Sequence, residues 1–276
     1  MVNRVSSAAQ DIASIIRGRK TLAITGAGVS TDSGLPDYRG QGSTEEPSIE
    51  YDMFVSDPVW QRWVWQRNHE TWKILDSIKP SKAHLALVAL ENAGLVTGIA
   101  TQNVDGLHTV AGSKNVWELH GSFREVVCVD CDHEFPRGEY SELLEELNPG
   151  WPTYDTGLAV LATANRAEAE ASTFQVAPCP RCAGLVKPSV VFFGESLPGT
   201  VMEGAMSAAS EAQVALVLGT SLVVTTGMWV TRQAWAHDAP IVIVNRGATA
   251  GDSLATLKID AGVSEVLEEL TDILLG

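Results

Sequence analysis

The run Thr25-Gly26-Ala27-Gly28-Val29-Ser30-Thr31-Asp32-Ser33-Gly34-Leu35-Pro36-Asp37-Tyr38-Arg39-Gly40 follows the apolar stretch Leu22-Ala23-Ile24. A glycine-rich turn after a buried strand lets backbone N–H groups approach a phosphate, which is how an open α/β sheet holds a dinucleotide. The G-x-G-x-x-G fingerprint is broken, because Thr31 stands where its third glycine belongs. Ser30, Ser33 and Asp37 are polar where a plain strand–helix connection needs none. Asp37, Tyr38 and Arg39 set an acid, an aromatic ring and a guanidinium on one loop after Pro36. The plainer reading of that loop is a capped turn with a solvated charge pair.

Cys128-Val-Asp-Cys131 and Cys179-Pro-Arg-Cys182 are two C-x-x-C knuckles that use every cysteine of the chain. Four thiolates suit tetrahedral Zn²⁺, and a two-residue spacer lets one turn present both sulfurs. A redox dithiol is the rival, and two separate pairs favour metal. The 47 residues between the knuckles exceed zinc-ribbon spacing, so Asp132–Pro178 must loop out. His133 is not needed, since four cysteines close the site, and a closed site is structural rather than catalytic.

Gln102, Asn103 and Asp105 follow the apolar stretch Val96–Ala100, where ligands of open α/β sheets bind. They suit hydrogen bonds to a carboxamide or ribose, or an Asx-type turn capping a helix. His120, in Glu118-Leu119-His120-Gly121-Ser122, ends the next strand, and imidazole suits general-base work near neutrality. Lys187–Glu195 reads either as a central strand or as a sheet edge offered to an extended peptide. Gly219-Thr220-Ser221 and Asn245-Arg246-Gly247 each follow a strand and add loops over the same crevice. No G-x-S-x-G elbow, G-x-x-x-x-G-K-[ST] loop or H-E-x-x-H is present.

The elements that must position these groups alternate. Strands are expected at Thr21–Thr25, Val96–Thr101, Val116–Leu119, Val190–Phe193, Val214–Gly219, Pro240–Asn245 and Leu257–Ile259. Helices are expected at His84–Ala93, Gly199–Ala212, Gly227–His237 and Val263–Leu274. An amphipathic N-terminal helix places Ala9, Ile12, Ala13 and Ile16 on one face. The pattern predicts an α/β fold: a Rossmann-like, mainly parallel sheet with helices on both faces, plus a smaller discontinuous zinc-binding and helical module. The large domain is expected over 1–40, 80–122 and 188–276. A helical insert over 41–79, packed on Trp60, Trp63, Trp65 and Trp72, and a zinc-binding insert over 123–187 form the small one.

At 276 residues and 45% hydrophobic the chain is of ordinary globular composition. A net charge of −15 speaks against nucleic-acid backbones and anionic membranes and suits basic, lysine-rich partners. No stretch has the apolar length of a membrane span, and the start lacks a signal-peptide core. A cytoplasmic protein with reduced thiols is expected.

In this order, G-A-G-V-S-x-x-S-G-L-P-D-Y-R, T-Q-N-V-D-G-L-H, E-L-H-G, the two knuckles, K-P-x-V-V-F-F-G-E, G-T-S-L and V-N-R-G resemble the sirtuin family of NAD-dependent protein deacylases over nearly the whole chain. Tyr38, the long insert between the knuckles, Arg137-Gly138 to Asn148-Pro149 and Phe174-Gln175-Val176 are similar to its class II branch, which includes a mitochondrial member.

The resemblance implies that NAD, consumed as co-substrate, lies between sheet and zinc module. Gly26, Ala27, Gly28 and Ser30 then belong to its phosphate loop, and Asp37, Tyr38 and Arg39 close over the nicotinamide ribose. Gln102, Asn103 and Asp105 orient nicotinamide and the reacting ribose. Gly219, Thr220, Ser221, Asn245, Arg246, Gly247 and Val263 hold the adenosine half. An acyl-lysine peptide pairs with Val191, Phe193, Gly194 and Glu195 and with the loop near Val223. His120 is implied as general base, with Asn103 and Asp105 beside it. Members selecting succinyl or malonyl groups carry Tyr three residues before an Arg; here Val64 precedes Arg67, which disfavours acidic acyl groups. Rival readings are ADP-ribosyl transfer, a dehydrogenase, against which the broken fingerprint speaks, and a non-catalytic reader of NAD or acylated peptide.

Overall fold

The computed structural model describes residues 4–36, 48–152 and 164–276. Two compact units emerge: one of Met1–Tyr38, Lys79–His120 and Pro198–Gly276, the other of Arg39–Ile78 and Gly121–Leu197.

The first unit is built on β1 (Thr21–Thr25), β2 (Val96–Thr101), β3 (Val116–Glu118), β7 (Val214–Leu218), β8 (Ile241–Val244) and β9 (Ala255–Ile259). All pair in parallel, in the order β3-β2-β1-β7-β8-β9. Both faces are covered, which is why β7 reads as an unbroken apolar run rather than an alternating one. Val214, Leu216 and Leu218 pack with α1 (Arg4–Ile16), α4 (Lys82–Asn92) and α10 (Val263–Leu275). Ala215 and Val217 point the other way, toward α8 (Gly199–Glu211) and α9 (Thr225–Ala236). Ala9, Ile12, Ala13 and Ile16 are buried as their helical spacing requires.

The short α5 (Leu107–Ala111) follows β2. Every polar loop singled out in this unit leaves the C-terminal end of a strand. The strand order turns at β1 and β7, the switch point where open α/β sheets form a crevice.

The second unit holds an antiparallel sheet of β4 (Gly121–Cys128), β5 (Glu134–Pro136) and β6 (Val186–Val190), in the order β5-β4-β6. Around it lie α2 (Tyr51–Ser56), α3 (Pro58–Ser77), α6 (Arg137–Leu147) and α7 (Arg166–Ala171). The strand expected at Val190–Phe193 lies earlier, at Val186–Val190. It is an edge strand of this small sheet rather than a central one, because Pro188 removes a ladder donor that a central strand would need.

Trp60, Trp63, Trp65 and Trp72 are core, as expected of a helical insert packed on its tryptophans. The Trp65 ring lies 4.5 Å from that of Tyr140, and its Nε1–H donates to the Val186 carbonyl at 2.9 Å. Arg137 is fully buried against the Trp65 and Trp72 rings, its guanidinium 5.4 and 4.9 Å from their centroids. No helix among the described residues is long and apolar enough to cross a membrane.

Candidate active site and metal centre

The two knuckles repeat one geometry. Cys128 N–H donates to His133 O at 3.0 Å and Cys179 N–H to Gly184 O at 2.9 Å. Asp132 N–H returns to Cys128 O, and Ala183 N–H to Cys179 O. Asp132 and Ala183, each just after the second cysteine, take positive φ of 54° and 61°. Asp130, inside the first knuckle, accepts Leu185 N–H at 2.7 Å and so latches one knuckle to the other.

The four sulfurs lie within 4.8 Å of one another, with Cys128–Cys182 at 3.5 Å and Cys131–Cys179 at 3.9 Å. A tetrahedral zinc with bonds of about 2.3 Å spaces its sulfurs about 3.8 Å apart, so the set fits one ion. Soft thiolates exclude Mg²⁺ or Ca²⁺ as the natural occupant.

In the first unit, β1 ends in a 3-10 turn over Ala27–Val29. Gly28 N–H donates to Gly219 O at 2.8 Å. A Cβ on Gly28 would stand 2.7 Å from Gly219 Cα, and one on Gly219 would stand 2.7 Å from the Gly28 carbonyl carbon. The glycines therefore let the loops after β1 and β7 touch backbone to backbone, a reason for their presence besides phosphate approach.

Ser30 Oγ–H donates to Asp105 Oδ2 at 2.7 Å. Asn103 Nδ2 donates to Gly26 O at 3.2 Å and to Ser30 Oγ at 3.1 Å. Asp105 Oδ1 accepts Leu107 N–H at 2.9 Å, the Asx-type turn weighed above. Ser30, Asn103 and Asp105 are all buried.

The His120 ring is held at both nitrogens. Its Nδ1 lies 2.9 Å from Gln102 O and its Nε2 2.7 Å from Thr226 Oγ1. A carbonyl only accepts, so Nδ1 carries the proton and Nε2 presents its lone pair, to which Thr226 O–H donates. Burial pushes the imidazole below its usual value, partly offset by the bond to Gln102, so the ring is neutral near pH 7. Gln102 is occupied by the protein itself: Oε1 accepts Thr220 Oγ1–H at 2.7 Å, and Nε2 donates to Val224 O and Thr226 Oγ1.

Gly219 and Thr220 are buried, and Ser221 O accepts Ala250 N–H. Asn245 Nδ2 donates to Arg246 O at 2.8 Å, Gly247 N–H donates to Asp260, and Val263 opens α10 from a buried position. Val223 is exposed ahead of α9. Asp37, Tyr38 and Arg39 lie outside the described residues.

In the second unit, Phe193 is exposed, and its carbonyl accepts Tyr51 N–H beside a parallel bridge to Glu50. Lys187 and Glu195 pair at 3.1 Å. Lys187 Nζ also donates to Pro188 O and Val190 O, and Phe192 N–H donates to Glu195, so this pair, its lysine buried and its glutamate half-buried, shapes the segment carrying Val191, Phe193 and Gly194. Arg67 is paired with Glu70 at 3.0 Å. Sequence reasoning missed Thr226, which carries no local motif and reaches His120 only because α9 begins there. It also missed the Lys187–Glu195 pair, whose signal is a basic and an acidic residue flanking an apolar run.

An open parallel sheet with a glycine turn at its switch point, and a separate unit closed by four cysteines, define a dinucleotide-binding α/β protein with a structural zinc site. Residues 26–226 match the Sir2 family. The chain is 45% identical to NAD-dependent protein deacetylase 1 of Mycobacterium avium over 95% of this chain and 94% of that one. It is 41% identical to the mitochondrial NAD-dependent protein lipoamidase sirtuin-4 of Bos taurus, covering 92% and 82%. A solved Sir2 bound to acetylated peptide superposes with a TM-score of 0.74 at 30% identity, covering 96% and 97%. The chain belongs to the Sir2 family, the sirtuins.

Proposed function

We propose that this chain is an NAD-dependent protein-lysine deacylase, which moves the acyl group to ADP-ribose and releases nicotinamide and O-acyl-ADP-ribose. The observation that carries the reading is His120, fixed as a neutral Nδ1–H tautomer with a basic Nε2. Its setting agrees: relatives named as NAD-dependent protein deacetylases match along almost the whole chain.

NAD enters as a substrate. Gly26, Ala27, Gly28 and Ser30 take its phosphates, and Gly219, Thr220, Ser221, Asn245, Arg246, Gly247 and Val263 its adenosine half. Asp37, Tyr38 and Arg39 belong to the same assignment. Asn103 and Asp105 orient nicotinamide and ribose, with Gln102 bracing the loop. The acyl oxygen attacks the ribose carbon as nicotinamide leaves, giving an alkylimidate. His120 Nε2 takes the proton of a ribose hydroxyl, whose oxygen then attacks the imidate carbon. Water completes the sequence, freeing lysine and the acylated ADP-ribose. An amide oxygen is a weak nucleophile, so loss of nicotinamide supplies the drive, and NAD is spent.

The peptide is taken as an added strand along Val191, Phe193, Gly194 and Glu195. Val223 is assigned a peptide contact on the loop before α9. With Arg67 held by Glu70, neutral acyl groups are preferred over dicarboxylic ones. The four cysteines Cys128, Cys131, Cys179 and Cys182 hold zinc structurally, which requires reduced thiols and fits a cytoplasmic location.

The test is mass spectrometry of the protein with NAD and a panel of acyl-lysine peptides, beside His120→Ala. O-acyl-ADP-ribose from the wild type alone is the expected result. Nicotinamide release with ADP-ribose left on protein moves the activity to ADP-ribosyl transfer. No nicotinamide release from zinc-loaded protein leaves a binding module.

A further inference from the structure

The hydrogen bonds around His120 run in one direction, and backbone groups set it. Val224 O only accepts, so the Gln102 amide turns Nε2 toward it, at 3.1 Å, and Oε1 away. Leu222 N–H only donates, at 3.0 Å to Thr220 Oγ1, so that hydroxyl gives its own hydrogen to Gln102 Oε1 at 2.7 Å. The second hydrogen of Gln102 Nε2 goes to Thr226 Oγ1 at 3.3 Å. Because Gln102 O keeps the imidazole proton on Nδ1, Thr226 O–H donates to Nε2 at 2.7 Å. The chain therefore leads from Thr220 through Gln102 and Thr226 to the ring. Thr220 and Thr226 are both buried. Gly227 leaves room for it, since a Cβ there would stand 2.6 Å from Gln102 Oε1.

We infer that Thr226, braced by Gln102, is a positioning residue that caps the base: its hydroxyl aims the lone pair of His120 Nε2 and fills it until a ribose hydroxyl takes its place. A ring nitrogen without hydrogen accepts through a single in-plane lone pair, and one short hydrogen bond uses it. A general base must come within about 3 Å of the oxygen whose proton it takes. Nε2 cannot face Thr226 Oγ1 at 2.7 Å and a ribose oxygen along the same axis.

The reaction then contains an exchange. Thr226 O–H turns off Nε2 as the ribose O–H arrives, one hydrogen bond replacing another. No proton moves until the ribose hydroxyl gives its own to Nε2 and its oxygen attacks the imidate carbon. Throughout, the bond from Nδ1–H to Gln102 O keeps the ring in place. Burial keeps the imidazole neutral, so the capped nitrogen is a waiting base and not an imidazolium donating to Thr226. The inference rests on the deacylase reading.

Two readouts test the cap. Long-range proton–nitrogen spectra of the histidine-labelled, unliganded protein near pH 7 should show His120 as the Nδ1–H tautomer. Its Nε2 resonance should move toward that of a bare ring nitrogen in Thr226→Ala and Thr226→Val, and stay in Thr226→Ser. In turnover, the alkylimidate either returns to NAD, read as incorporation of labelled nicotinamide, or goes forward through His120, read as O-acyl-ADP-ribose. Removing the hydroxyl should shift that ratio about fivefold toward the forward product, the scale of one hydrogen bond of about 1 kcal/mol no longer exchanged. Thr226→Ser should match the wild type. An Nε2–H tautomer in the wild type, or a nitrogen resonance unmoved in both hydroxyl-free variants, overturns the cap. So does a ratio that is unchanged, or shifted toward nicotinamide return, in both. If the wild type makes no O-acyl-ADP-ribose, the deacylase reading falls and the exchange with it, while the spectra still decide the contact.

Discussion

His120 gains its basic nitrogen from what surrounds it. Gln102 O fixes the proton on Nδ1, Thr226 supports the lone pair on Nε2, and burial keeps the ring uncharged. The sign of the pH dependence follows. A histidine whose basicity is depressed is in its base form above a midpoint lower than 6.5. Deacylation measured as kcat/KM for peptide should climb through that midpoint from the acid side and be flat across neutrality. A midpoint above 6.5 would contradict the burial argument. His120→Ala should lose the acid limb along with the activity while still binding NAD. The place of His120 at the end of a strand was legible in the sequence, but its partner Thr226 was not, since α9 lies more than a hundred residues further along the chain. Arg137 escaped for a different reason: a charged side chain reads as surface, and only the flanking indoles of α3 make its burial intelligible.

At the scale of elements, the strands of the large sheet were legible because burial on both faces leaves continuous β-branched runs. The small sheet was not. β4 carries Arg124 and Glu125 within its run, and β5 is three residues long, so neither shows a clean period. What holds that unit is the indole of Trp65, which joins α3 to β6 through Val186 O. Trp65→Ala should cost about 3–5 kcal/mol in denaturant unfolding, the range for emptying a buried aromatic site. A loss under 1 kcal/mol would mean the core closes without it. In the large sheet, the meeting of β1 and β7 depends on a backbone contact that no side chain can enter. Gly28→Ala should destabilise the fold by about 1–3 kcal/mol, because the methyl would press on rigid backbone. NAD binding should fall with it. A variant of wild-type stability and affinity would show that the two loops separate freely.

For the molecule as a whole, the four-cysteine cluster is the joint on which the second unit closes, since its knuckles end β4 and lead into β6. Stripping zinc with a chelator should shift tryptophan emission to the red. Five of the eight tryptophans, Trp60, Trp63, Trp65, Trp72 and Trp151, lie in that unit. Unchanged emission after verified zinc loss would assign the joint to packing instead. The two units also differ in when they can be completed during synthesis. Every segment of the zinc-bearing unit has been synthesised by Leu197, whereas β1 waits for β7, made nearly two hundred residues after it. The nascent chain must therefore carry an unfinished parallel sheet, one flank of β1 bare, past a neighbour already able to fold. A released chain truncated after Leu197 should bind one zinc ion and no NAD.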